Sequence, residues 1–241
     1  MKNLSVNDEI LLTTMEHRSN IVPWQLVAEK TGATIRYIEM DAEGHLNLEN
    51  LEELCGRNTK IVSCTQVSNS LGTINPLEPI IAQARSVGAL VLVDGAQAVP
   101  HGAIDVGRID CDFYVFSGHK MCGPTGIGVL WGRKEILDKM PPYQGGGEMI
   151  KLVQRDHSTW ADLPHKFEAG TPNIAGAIVL ATAADFLDEI GFEAIKEHEH
   201  NLLAYALNQL DAVEGLKIFG PLDSNHRCSV ISFQLGDIHP L

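Results

Sequence analysis

No run in this sequence approaches the ~20 apolar residues that a helix needs to cross a bilayer. The first residues, Met1 to Asp8, hold no apolar segment of the kind a secretory signal requires. Cys-x-x-Cys spacing is missing, and the five cysteines (Cys55, Cys64, Cys111, Cys122, Cys228) are an odd number. They read as reduced thiols of a cytoplasmic protein, mostly small buried apolar residues, and imply no metal. Positive charge is scarce, with 18 Lys+Arg against 31 Asp+Glu and a net charge of -13. That balance excludes a nucleic-acid binder that works by neutralising phosphates. Internal repeats and low-complexity tracts are lacking too. What is there is a 241-residue chain of near-zero mean hydropathy. It can bury one large domain, or one domain and part of another.

Short apolar runs alternate with helical patterns along the chain. Glu9 to Thr14 reads as a strand, followed by a helix from near Ile21 to Gly32 whose first turn accommodates Pro23. Ala33 to Ile38 is the next strand, Leu48 to Leu54 a helix, and Lys60 to Thr65 a strand closed by the polar loop Gln66 to Thr73. Pro76 to Val87 carries prolines at its start and Gly88 at its end, the usual asymmetry of a helix. Asn173 to Ile190 and Phe192 to Leu210 read as long helices, and Leu216 to Phe219 and Cys228 to Phe233 as strands. Gly145-Gly146-Gly147 has the composition of a flexible linker.

Two residues stand out chemically. Ala89-Leu90-Val91-Leu92-Val93 is unbroken by polar residues, as in a strand buried on both faces, and it ends at once in Asp94-Gly95. Asp112-Phe113-Tyr114-Val115-Phe116 is a second strand, and Ser117-Gly118-His119-Lys120 follows it into a glycine-rich turn. Asp94 and Lys120 therefore fall at the carboxyl ends of strands, the edge where open α/β sheets bind ligands. A desolvated lysine there can attack a carbonyl to form a Schiff base. An aspartate there suits pyridoxal phosphate, which needs an acid on its ring nitrogen and a lysine on its aldehyde. Taken singly, Lys120 reads as a surface lysine and Asp94 as a cap or turn residue; the pair is the signal.

TQVSNSLGT, VLVDGAQA, DFYVFSGHKMCGPTGIG and FEAGTPN together resemble the class V aminotransferase-like enzymes, and within them the SufS-type cysteine desulfurases and their selenocysteine lyase relatives. The resemblance runs from about Glu9 to the last residue. It implies an α/β protein of the pyridoxal phosphate-dependent transferase fold (fold type I), a mostly parallel sheet flanked by helices, with the start of a smaller α+β domain. The expected division is a cofactor-binding large domain at 1–188 and the beginning of the small domain at 189–241.

By the same resemblance, Lys120 carries the cofactor, Asp94 holds its ring nitrogen, and His17 stacks on the ring and relays protons. Asn69 and Gln97 lie near the ring hydroxyl, and an amide offers both donor and acceptor for that place. Ser117 and His119 bind the phosphate, and Thr171 reaches the phosphate of a partner subunit in a homodimer. Many relatives have a second histidine where this chain has Arg18. The implied activity is conversion of L-cysteine to L-alanine, with sulfur passed as a persulfide to an acceptor protein of iron–sulfur assembly. The resemblance also implies a central portion of such an enzyme, without an upstream phosphate-binding turn or a downstream nucleophilic cysteine loop and substrate-gripping arginine, and weak or absent activity. Cys122, two residues from Lys120, is a poor substitute nucleophile, because relatives usually place a bulky packing residue there. Alternatives stay open: another class V enzyme such as an aminotransferase or selenocysteine lyase, or a non-catalytic dimerisation partner.

Overall fold

The apolar runs bounded by turn residues become the strands β1 (Glu9–Thr13), β2 (Thr34–Ile38), β3 (Thr59–Thr65), β4 (Leu90–Asp94), β5 (Phe113–Ser117) and β6 (Gly128–Gly132) of a computed structural model that describes residues 4–239. They form one sheet in the order β2-β1-β3-β4-β5-β6. The first five are parallel and β6 returns antiparallel beside β5.

Successive side chains of β1 enter two different cores, as a strand covered on both faces requires. Leu11 packs with Val62, Val91, Val93 and the α3 (Leu77–Ser86) residues Ile80, Ile81 and Ala84. Ile10 and Leu12 pack with Ile61 and Ala33 and with Trp24 and Val27 of α1 (Val22–Thr31) on the other face. Each such side chain, fully buried, contributes roughly 2 kcal/mol. Helix α1 ends at Gly32, whose φ of 76° is the left-handed geometry that closes a helix with least strain in glycine.

Short helices α2 (Leu51–Leu54), α4 (Val106–Ile109) and α5 (Lys134–Leu137) serve as connectors. The helix expected from Leu48 is reduced to its last turn, because Asn47 draws the Glu49 N–H onto its own side chain at 3.0 Å. A hairpin of β7 (Ile150–Val153) and β8 (Ser158–Trp160) precedes α6 (Ile174–Ile190) and α7 (Phe192–Asp211). The chain then forms the antiparallel pair β9 (Leu216–Phe219) and β10 (Ser232–Leu235). The strand expected over Cys228 to Phe233 thus begins only at Ser232. Residues before it are committed elsewhere: Cys228 N–H donates to Gly72 O at 2.8 Å, and the buried Arg227 side chain donates to the carbonyls of Phe219, Pro221 and Val230. No helix among the described residues is long and apolar enough to cross a membrane.

The amino edge of the sheet is pinned by charge. Asp112, buried just ahead of β5, accepts Val91 N–H at 2.8 Å and both contacts of Arg85 Nη1 at 2.9 and 2.8 Å, and Arg133 Nε lies 3.2 Å away. Removing one partner from such a set leaves the others buried and unmatched. Asp112→Ala is expected to lower the unfolding free energy by roughly 3 kcal/mol in urea titration; a change under about 0.5 kcal/mol, the scatter of ordinary surface substitutions, contradicts this role.

Candidate active site

The strand order reverses between β1 and β3, since the chain leaves β1 for β2 on one side and later lays β3 on the other. A reversal of this kind opens a crevice at the carboxyl edge, where ligands of open α/β sheets sit. Asp94 closes β4, and Lys120 ends the single 3-10 turn Gly118–Lys120 that follows the adjacent β5. Ser117 is the last residue of β5, and His119 lies exposed in the turn. His17 follows β1 and caps the 3-10 turn Arg18–Asn20. Asn69 and Gln97 lie half-buried in the loops leaving β3 and β4. Seven of the eight candidate residues therefore share one edge.

Thr171 does not come from that edge. It is exposed in the loop ahead of α6, which is tied in by Asn173: its side chain caps the helix through Gly176 N–H and donates to Gly126 O at 3.3 Å. The triple glycine abuts the same loop, with Gly170 N–H donating to Gly147 O at 3.0 Å.

The polar groups at the edge are conspicuously uncommitted. Asp94 is buried and its Oδ1 accepts Ala96 N–H at 2.9 Å, while Oδ2 receives no donor among the described residues. The side chains of Asn69, Gln97, Ser117, His119 and Lys120 likewise make no hydrogen bond or ion pair among the described residues. His17 is the partial exception, since Ser19 N–H donates to its Nδ1 at 3.2 Å. That bond makes Nδ1 an acceptor, so the neutral ring carries its hydrogen on Nε2. A free carboxylate oxygen, a free amine and several free donors fit pyridoxal phosphate, which asks for an acid at its ring nitrogen, an amine at its aldehyde and donors at its phosphate.

Gly95 is demanded by packing behind this edge. A Cβ there would lie 2.0 Å from Tyr114 Oη, which donates to Gln66 Oε1 at 2.7 Å. Burial pushes the Tyr114 phenol well above its ordinary range, so it stays a neutral donor.

Glu16 was not visible in the sequence as a site residue, yet it lies buried beside His17. Thr13 Oγ1 donates to its Oε1 at 2.6 Å, Thr65 N–H to the same oxygen at 2.8 Å, and Asn20 Nδ2 to Oε2 at 2.6 Å. Burial, opposed by these donors and aided by the Asp94 charge, raises its pKa from 4.5 to about 7. Four of the thiols are held protonated by the same physics: Cys55, Cys111 and Cys228 are pushed up to about 11, and Cys64 is raised well above its ordinary value, all chiefly by burial. Cys122 is exposed. Away from the edge, His101 Nδ1 pairs with Glu199 of α7 at 2.7 Å and ties that helix to the loop beyond Gln97.

The sheet order and the lysine–aspartate edge define an α/β protein of the pyridoxal phosphate-dependent fold type I class. The profile of the class-V aminotransferases matches residues 1–241, and the chain belongs to that family. It is 53% identical over 232 residues to a probable cysteine desulfurase of Streptomyces coelicolor, spanning 96% of this chain and 56% of that protein. A probable cysteine desulfurase of Halalkalibacterium halodurans is 52% identical over 238 residues, spanning 99% and 58%. The solved cysteine desulfurase of Escherichia coli in an S-sulfonic acid form superposes with a TM-score of 0.89 at 38% identity, covering 98% of this chain and 58% of that one. An apo cysteine desulfurase of Thermococcus onnurineus gives 0.91 at 37%, covering 98% and 59%. The chain thus spans a little over half the length of the relatives it matches.

The raised pKa of Glu16 has a definite sign in stability. A carboxyl whose folded pKa exceeds its unfolded value contributes stability below pH 4.5 that is lost as the pH rises through about 7. Wild type is expected to lose up to roughly 3 kcal/mol across that window from this group alone, a loss that Glu16→Gln cannot show. Urea unfolding of both proteins at about pH 4.5 and about pH 8 measures it; an equal gap between the two proteins at both pH values refutes the assignment.

Proposed function

We propose that this chain is the cofactor-binding core of a pyridoxal phosphate-dependent cysteine desulfurase, which converts L-cysteine to L-alanine and hands on the sulfur as a persulfide. The observation that carries the reading is Asp94 and Lys120 at the ends of neighbouring parallel strands, each with its functional atom uncommitted. The substrate follows from the likeness to cysteine desulfurases, of which the chain spans 56% and 58% in the two curated relatives.

Bound at this edge, pyridoxal phosphate supplies an electron sink for a bond at the substrate's Cα. Asp94 Oδ2 would accept the ring N–H and hold the proton there, its orientation fixed by the Ala96 N–H on Oδ1. Lys120 would hold the aldehyde carbon and, when its amine is free, move a proton at the substrate's Cα. His17 would lie over the ring with Nε2–H available to donate, because Ser19 occupies Nδ1. Asn69 and Gln97 would serve the ring hydroxyl and the substrate, and Ser117 and His119 the phosphate. Thr171, exposed on its loop, would serve the phosphate of the second copy in a homodimer.

The receiving thiol must be exposed and ionisable, which removes the buried Cys55, Cys64, Cys111 and Cys228 from consideration. A sulfur-acceptor protein of iron–sulfur assembly and a cytoplasmic setting complete the reading. So does a division at 188/189 into a large unit and the start of a small one, which falls in the last turn of α6.

The test is a pyridoxal phosphate titration read by visible absorbance. Wild type is expected to develop a yellow band that borohydride bleaches and that L-cysteine perturbs, and Lys120→Ala to show none. Loss of affinity in Asp94→Ala by at least about a hundredfold is expected, the scale of a buried charge-assisted bond. A wild-type band that persists in Lys120→Ala would rule out Lys120 as the cofactor lysine.

A further inference from the structure

Three carboxylic acids are buried among the described residues: Glu16, Asp94 and Asp112. Asp112 is matched by arginines and Asp94 faces the ligand edge, but Glu16 has neither use. A buried carboxyl without a cation is costly unless its oxygens are hydrogen-bonded. Here they are, and most of the bond directions are fixed by groups that can only donate. Trp24 Nε1–H and Thr65 N–H can only donate. The indole donates to Asn20 Oδ1 at 3.1 Å, as does Ser63 Oγ at 2.8 Å, so the amide nitrogen of Asn20 must turn toward Glu16 Oε2. Thr65 N–H and the Thr13 hydroxyl meet Oε1. Each oxygen therefore accepts from one fixed donor, only the Thr13 hydroxyl can turn to accept from the protonated acid, and a glutamine would turn its NH2 onto a donor in either orientation.

The location gives this network its meaning. Pairing between β1 and β3 ends at Leu11 with Val62, whereas β3 stays with β4 as far as Thr65 opposite Asp94. Glu16 spans the resulting gap at the crevice, joining Thr13 at the end of β1 to Thr65 at the end of β3. Its next neighbour in the chain is His17.

We propose that Glu16 is a positioning residue of the cofactor site, holding His17 and the Thr65–Asp94 strand ends in register and coupling its own proton to the charge at Asp94. The coupling to cofactor rests on the reading given above; the network itself does not. The titratable groups that face Glu16 are Asp94 on β4 and the Cys64 thiol on β3, with His17 adjoining it. The remaining partners on β1, β3, the 3-10 turn and, through Asn20, α1 are neutral donors. Release of the Glu16 proton adds negative charge beside Asp94, which favours a protonated ring nitrogen there.

Two measurements test this in the full chain. Without cofactor, NMR of 13C-glutamate-labelled protein is expected to show one carboxyl titrating near neutrality. Glu16→Gln should lack it, and Thr13→Val, nearly isosteric but without the donor, should move it to higher pH. With pyridoxal phosphate, the pH profile of the visible band is expected to lose an inflection near neutrality in Glu16→Gln, with cofactor affinity reduced about tenfold. Asp156→Asn, on the exposed turn between β7 and β8, should change neither. Glu16 titrating like an exposed glutamate, insensitivity to Thr13→Val, or superimposable cofactor profiles overturns the proposal. A missing band in every protein overturns the Lys120 reading instead, and the carboxyl titration then decides the role of Glu16. Should Glu16→Gln fail to fold, Thr13→Val carries both measurements.

Discussion

The separation of β1 from β3 is the constraint on which the rest of this edge depends. Neighbouring parallel strands satisfy each other's N–H groups, so a pair that parts company leaves donors to be answered by something else. At Thr65 the answer is a glutamate carboxylate from the turn after β1. The same parting creates the crevice, because the chain beyond β1 turns away while β3, β4 and β5 run on side by side to Thr65, Asp94 and Ser117. The turn that carries Glu16 into the gap also carries His17, and Thr65, which Glu16 holds, lies opposite Asp94.

The two edges of the sheet manage buried acids in opposite ways. At the amino edge Asp112 meets guanidinium groups and a backbone N–H, so its charge is paired with opposite charge. At the carboxyl edge Glu16 meets only neutral donors, which orient a carboxylate without cancelling its charge. Ion pairing makes the first an anchor. Hydrogen bonding alone leaves the second within reach of protonation near neutrality. A site that must shift charge during its chemistry is better bordered by the second kind.

Much of this architecture is legible in the residues themselves. The unbroken run before Asp94 and the strand-to-glycine turn around Lys120 announce buried parallel strands and place both groups at one edge, because period and punctuation are local properties. Helix ends at Gly32 and Gly191 are equally local. Three features are not. Glu16 looks like any exposed acid, since what buries it is Thr65, 49 positions along, and Asn20, which Ser63 and Trp24 orient. Cys228 to Ile231 has strand composition but spends its backbone on the Gly72 loop and on Arg227. The β7–β8 hairpin joins short strands with little apolar alternation, and its pairing even shifts register between Ile150 and Leu152.

The Asn69 loop is held in place by the far end of the chain. Ile74 N–H donates to His226 O at 3.0 Å, and Cys228 N–H donates to Gly72 O at 2.8 Å. Asn69 therefore hangs from a loop clamped on its far side by the segment between β9 and β10, and Arg227 keeps that segment folded by three bonds to carbonyls. His101 and Glu199 add a second tie, from the loop after Gln97 to α7. The strand ends fix the Asp94 and Lys120 side of the crevice through the sheet. Its Asn69 and Gln97 side is fixed only as well as these contacts with the C-terminal segments hold. One wall of this edge is therefore built by the sheet itself, and the other by loops held against the C-terminal segments.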